Sequence, residues 1–162
     1  MALSQTSVKH TTKGGAYVVE FPGKTMTAPV AASQVIKEGN LITLATTQGY
    51  ATLCATDTDT ACGIALMDVT TTAANELTVL SYISLDTDTI FELPAASTAT
   101  ATATAQAIIG LSCNLVLNTA IHAVNVAAST HPTIRVIGLS PKEALGTSGG
   151  RYLCRIPDAL LK

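Results

Sequence analysis

The sequence predicts an all-β chain, and three observations carry that prediction. About ten short runs rich in Val, Ile, Leu, Thr and Tyr recur at intervals of roughly ten residues, with turn residues between them. No long run of apolar residues at helical spacing appears. Threonine is the commonest polar residue, and its β-branched side chain suits the surface of a strand. Short strands at such regular spacing form a barrel or a sandwich.

Residues 1–16 are polar, carry neither hydrophobic period and end in Gly14-Gly15. They read as a disordered tail or as an arm that orders on a partner. Tyr17–Phe21 is the first strand, stopped by Pro22-Gly23. Val35-Ile-Lys-Glu-Gly-Asn40 is a polar turn that launches Leu41–Ala45, and Tyr50–Ala55 follows across the hairpin signal Thr46-Thr-Gln-Gly49. After the turn Asp57-Thr-Asp-Thr60, the strand Cys62–Met67 returns antiparallel to Leu41–Leu44. Thr70–Glu76 is a connection with room for one helical turn. Leu77–Ile83 and Thr89–Leu93 are strands, the second stopped by Pro94.

Strict Ala/Thr alternation over 95–105 is compatible with a strand, a short helix or a loop, and low complexity favours the loop. A boundary between two sub-lobes would fall there. β character resumes at Ala107-Ile-Ile109 and Cys113–Leu117, then at Ile121–Val126, Thr133–Ile137 and Arg151–Ile156. A short helix is expected from Ser140, with Pro141 in its first turn, and Thr147-Ser-Gly-Gly150 reads as a hairpin turn. Alternation places Ile42, Leu44, Ile64, Leu66, Val79 and Ile137 in the core.

Composition narrows the function. Hydrophobic residues make up 48% of the 162, charged residues 12% and aromatic residues 4%, with no tryptophan. The charged share is about half of the usual quarter, so part of the surface is expected to be covered by partners. Nine Lys and Arg stand against eleven Asp and Glu. Lys9, His10 and Lys13 form the one local basic cluster, too weak to neutralise a phosphate backbone. Nucleic acid is therefore not an expected partner. No apolar run approaches membrane-spanning length and no signal sequence opens the chain, so synthesis in a cytoplasm and no membrane partner are expected.

Cys54, Cys62, Cys113 and Cys154 lack metal-ligand spacing and read as buried free thiols, with a disulfide as the alternative. His10, His122 and His131 read as structural or solvated. Asp57/Asp59 and Asp86/Asp88 share a bare D-x-D spacing without the later Gly and Glu of a calcium loop, and read as solvated turns. No nucleophile context and no phosphate-binding loop is found. No enzyme, cofactor or metal is expected.

Two segments, Glu38-Gly-Asn-Leu-Ile-Thr-Leu44 and Gly63-Ile-Ala-Leu-Met-Asp-Val69, with the later pair Ile134–Leu139 and Arg151–Ile156, resemble the capsid decoration (cement) proteins of tailed phages. The resemblance implies a β-tulip-like domain or small β-barrel over 17–162 and an N-terminal arm, 1–16. It implies no enzymatic role and a place on the outer surface of a virion, as homotrimers bound to the major capsid protein. The arm would lie on that protein, with Ser7, Val8, Lys9, His10, Thr11 and Lys13 as its contacts. The 95–105 tract departs from the family pattern. A reading from another class is a carbohydrate-binding or adhesive β-module; the scarcity of aromatic residues, the usual sugar platforms, stands against it.

Overall fold

The computed structural model describes residues 14–20, 24–45, 49–55, 59–72, 78–96, 106–127, 131–141 and 150–157. These residues form thirteen strands and one turn of 3-10 helix, so the chain is all-β. β1 (Tyr17–Glu20), β9 (Ile90–Pro94), β13 (Arg151–Arg155), β12 (Ile134–Leu139), β10 (Ser112–Asn118) and β11 (Ile121–Asn125) lie in that order in one sheet. β2 (Thr25–Pro29), β8 (Val79–Ser84), β6 (Gly63–Ala65), β4 (Leu41–Leu44) and β5 (Ala51–Leu53) form a second. β3 (Val35–Ile36) and β7 (Val69–Thr70) pair as a small ribbon.

The expected return of the Gly63 strand is present: β4 and β6 are antiparallel, with Leu41 opposite Ile64 and Ile42 opposite Gly63. The expected barrel needs correction, because both large sheets are open. The first nonetheless curls back on itself. Ala95 N–H bonds Gly150 on the β13 side, while Ala96 N–H bonds the Val124 carbonyl of β11 on the opposite side. β11 thus stands beyond β1 along the same edge of β9, joined to it by the single parallel bridge Ala95–Val124. A bridge of one residue does not make a ladder, and the gap between β1 and β11 is where residues 14–16 run.

Burial follows strand alternation on both faces of the second sheet. Leu41 and Ile64 point into a core shared with Phe91, Leu93, Leu115, Ile134, Val136 and Tyr152 of the first sheet. Their neighbours Ile42 and Ala65 point the other way, into a second core with Ala28, Ala51, Leu80 and Tyr82, covered by Ile36 and Val69 of the ribbon. β4 and β6 are therefore buried on both sides, which explains their near-continuous apolar sequence.

Of the six residues expected in the core, Ile42 and Ile64 are fully buried, and Leu44 and Ile137 are half-buried. Leu66 and Val79 are exposed, at 41% and 51%. β6 ends at Ala65, so Leu66 lies in a bend where alternation no longer governs it. Val79 pairs with Pro29 of the edge strand β2, near the rim of the sheet. Ile137 directly follows Val136, which is in the core, so strand alternation itself turns it to the other face, at the register shift between Val136 and Gly138.

Ala107-Ile-Ile109 is not a strand: Gln106–Ile108 forms the 3-10 turn, closed at Gly110 with φ +90°. β2, β3 and β7 were not expected from the sequence. β2 contains Pro29, which normally excludes a strand, but β2 is an edge, where a missing N–H costs no ladder bond. The helix expected from Ser140, most of the 95–105 tract and the connection around residue 75 fall largely outside the described residues.

Candidate functional site: the root of the N-terminal arm

The expected arm contacts, Ser7, Val8, Lys9, His10, Thr11 and Lys13, lie outside the described residues. The last three residues of the expected arm lie inside, and they belong to the body. Gly14, Gly15 and Ala16 are all buried. They pass between the turn at 37–40, which enters β4, and His122 of β11.

The passage is held by directional bonds. Gly14 carbonyl accepts from His122 N–H at 2.9 Å and from Asn40 Nδ2 at 3.1 Å. Ala16 N–H donates to Gly39 carbonyl at 2.9 Å. Gly15 carbonyl accepts from Arg151 Nη2. Both glycines are required by space. A Cβ on Gly14 would sit 2.2 Å from Asn40 N, and one on Gly15, at φ +96°, would sit 2.1 Å from His122 O.

Asn40 and His122 are fully buried at the centre. Asn40 Oδ1 accepts from Lys37 N–H at 2.7 Å, which fixes the amide orientation. Its Nδ2 then faces three acceptors: Gly14 O, Ala120 O at 2.9 Å and His122 Nδ1 at 3.1 Å. Nδ1 of His122 also accepts from Leu41 N–H at 3.1 Å, and Nε2 lies 2.7 Å from the Cys54 carbonyl. A carbonyl can only accept and a backbone N–H can only donate. The ring is therefore the neutral tautomer with its proton on Nε2. Burial lowers its pKa from 6.5 to about 4, because the charged ring would lose its hydration, and this outweighs the opposite pull of the Cys54 and Gly14 backbone.

Behind the root lies a buried ion pair. Arg151 Nε is 3.2 Å from Glu92 Oε2, with side chains 13% and 5% exposed. Glu92 Oε1 accepts from Ser140 Oγ at 2.7 Å, and Arg151 Nη2 reaches the Glu92 carbonyl at 3.2 Å as well as Gly15. Both carboxylate oxygens are thus bonded, the condition under which a buried pair is tolerated. The arm root, β9 and β13 share one polar network.

Among the remaining candidates, His122 is the structural histidine the sequence suggested, and His131 is exposed, its N–H bonded to Asn114 Oδ1 at 3.0 Å. His10 and Asp57 lie outside the described residues. Asp86 Oδ1 accepts from Asp88 N, Thr89 N and Thr89 Oγ1, a capped turn rather than a metal loop. Asp59 Oδ2 accepts from Ala55 N–H. The four cysteines are free, with Cys54, Cys113 and Cys154 buried and Cys62 half-buried. Burial pushes the Cys54 thiol up to about 12 and the Cys62 thiol to about 11, so neither is a nucleophile near neutral pH. No group of three or more metal-ligating side chains occurs among the described residues.

Asn40, His122, Glu92 and Arg151 were not singled out as a site by sequence. The available signals were a histidine in an otherwise apolar strand and a Gly-Gly pair closing a polar tail; neither says that the two meet. No protein-family model, curated protein or solved structure matches this chain, so its reading rests on the residues themselves.

Proposed function

We propose that this chain is a structural protein of a phage virion, acting without catalysis. It binds the outer surface of an icosahedral head and bridges subunits of the major capsid protein. The observation that carries the reading is the root at Gly14–Ala16. The polar sequence of residues 1–13 leads into three residues locked between two sheets. Such an anchor transmits any hold that the segment takes on a neighbouring surface directly to the body. The resemblance supports the same reading, since Glu38–Leu44 and Gly63–Val69 are the segments that pair as β4 and β6 and build the turn that grips the root.

The working unit we propose is a homotrimer. Leu66, in the bend after β6, and Val79, at the start of β8, are both exposed. Leu66 N–H bonds Ser81 O, and Val79 lies two residues from Ser81, opposite the half-buried Pro29. The two exposed apolar side chains therefore lie near one another, a patch that a second copy can cover. Three copies joined this way multiply modest arm contacts by avidity.

The test is sedimentation of the purified protein with mature capsids of the virus that encodes it, with mass measurement in solution and a map of the decorated head. Saturable binding at three-fold positions is expected. Failure to sediment with capsids, together with binding on a glycan array, would favour the adhesive reading instead.

A further inference from the structure

We propose that Arg135 and Arg155 form an oxyanion site on the outer face of the first sheet, taking a carboxylate or phosphate group. The two arginines are direct cross-strand partners in the β12–β13 pair, and Arg135 is in turn opposite Ser112 of β10. Direct partners on antiparallel strands hold their Cβ atoms about 5 Å apart, and like charges there repel. Arrangements of this kind are normally relieved by a nearby acid.

None relieves this one among the described residues. Of the five described Lys and Arg, Arg151 is paired with Glu92 and Lys37 with Asp68. Among the described residues neither Arg135 nor Arg155 has an ion pair. Glu20 occupies the same cross-strand row, since it is opposite Ile90 and Ile90 follows from the Phe91–Cys154 pair. It stands two strands away, at about 4.8 Å per strand, and forms no ion pair with either arginine among the described residues.

A second observation concerns Arg155 itself. Its Nε is shielded from solvent and finds no hydrogen-bond acceptor among the described residues. A buried donor left unmade is costly, and an arginine donor more so. Because Nε is closed off from water, an external oxyanion meets the two terminal nitrogens of the guanidinium, which offer carboxylates and phosphates the same paired-donor geometry. Arg135, which is exposed, would close on it from the neighbouring strand, and Ser112 adds a hydroxyl in the same row. On the capsid-binding reading the oxyanion is an acidic side chain of a capsid subunit. The identity of that oxyanion rests on the capsid-binding reading, whereas the site itself does not.

The experiment uses the full chain, labelled with nitrogen-15, and follows the Arg155 Nε–Hε resonance. Sodium acetate, sodium phosphate and sodium chloride are titrated separately at matched ionic strength. The expected result is a saturable shift with acetate or phosphate in the millimolar range, beyond that of chloride, and the stronger of the two identifies the class. Arg135→Gln should weaken that binding ~10-fold or more, as loss of a charge-assisted bond implies. It should also raise the melting temperature of the anion-free protein or leave it unchanged. Equal shifts in all three salts, or a saturable shift untouched by Arg135→Gln, would overturn the site. Neither outcome depends on whether capsids bind.

Discussion

The polar seam at the arm root and the second, ribbon-covered core share one strand and obey different rules. Asn40 and Leu41 at the start of β4 face the seam and the first core, and Ile42, one residue on, faces the second core. In the second core the neighbours are aliphatic apart from Tyr82, and any side chain of similar volume satisfies them. In the seam every contact has a direction. His122 bonds a carbonyl on one side and two donors on the other, and the glycines leave no room for a Cβ. The aliphatic core gives bulk stability, while the seam specifies how the segment before residue 14 enters the body.

The sharpest way to break this contrast is at Gly15. Gly15→Ala places a methyl group against the His122 backbone and forces a left-handed φ on alanine. A loss of more than about 4 kcal/mol is expected, in the range reserved for gross steric or buried-polar defects. Gly110→Ala is the control. Its φ is +90°, but nothing lies within 4 Å of the added Cβ. There only the backbone cost of about 1–2 kcal/mol should remain. Urea unfolding of both variants checks the difference, and similar losses would mean that the seam is not tight.

Next in size is the apolar core. Ile42→Ala removes a fully buried side chain and should cost about 2–5 kcal/mol, whereas Ile42→Val should cost about 1 kcal/mol. Equilibrium unfolding measures both. A graded response marks an aliphatic core; an all-or-none response would liken it to the seam.

Acid should discriminate the two regions without any change in the core. The folded-state pKa of His122 lies below the unfolded value, so the unfolded chain binds more protons between pH 6.5 and about 4. The contribution of His122 is therefore complete above pH 6.5 and is lost as pH falls to about 4, a total of about 3 kcal/mol at about 1.4 kcal/mol per pH unit. Stability measured against pH for the wild type and for His122→Gln should diverge in this window, with the variant showing the shallower slope. Parallel curves would remove His122 from the acid response. The smallest effect belongs to Leu66→Ala. A core position would lose about 2–5 kcal/mol, but this exposed side chain should lose roughly half a kcal/mol or less in the monomer.

These differences also show what a linear sequence can express. β1, β4 to β6, β8 to β13 and the β4–β6 pairing follow from β-branched runs and turn residues, because those signals are local. β3 and β7 are two residues each and carry no period to detect. Leu66 looked buried because alternation does not say where a strand ends, and Val79 because it does not say where a sheet outgrows its cover. The seam was the least legible part. Asn40 and His122 are 82 residues apart, and Gly14 is 26 from Asn40. Nothing within any one segment indicates that a tail, a turn and an edge strand converge. The boundary of the arm moved for the same reason: Gly14-Gly15 reads as a flexible end, yet these glycines are there for close packing.

The most direct test compares the full chain with versions lacking residues 1–13 and residues 1–16, in thermal unfolding and in capsid sedimentation side by side. Removing 1–13 should leave the melting temperature unchanged and weaken capsid binding. Removing 1–16 strips the acceptors from His122 N–H, Asn40 and Arg151, and should lower the melting temperature as well. Unchanged capsid binding after removal of 1–13 would contradict the proposed role of the arm, and equal melting temperatures for the two truncations would contradict the anchored root.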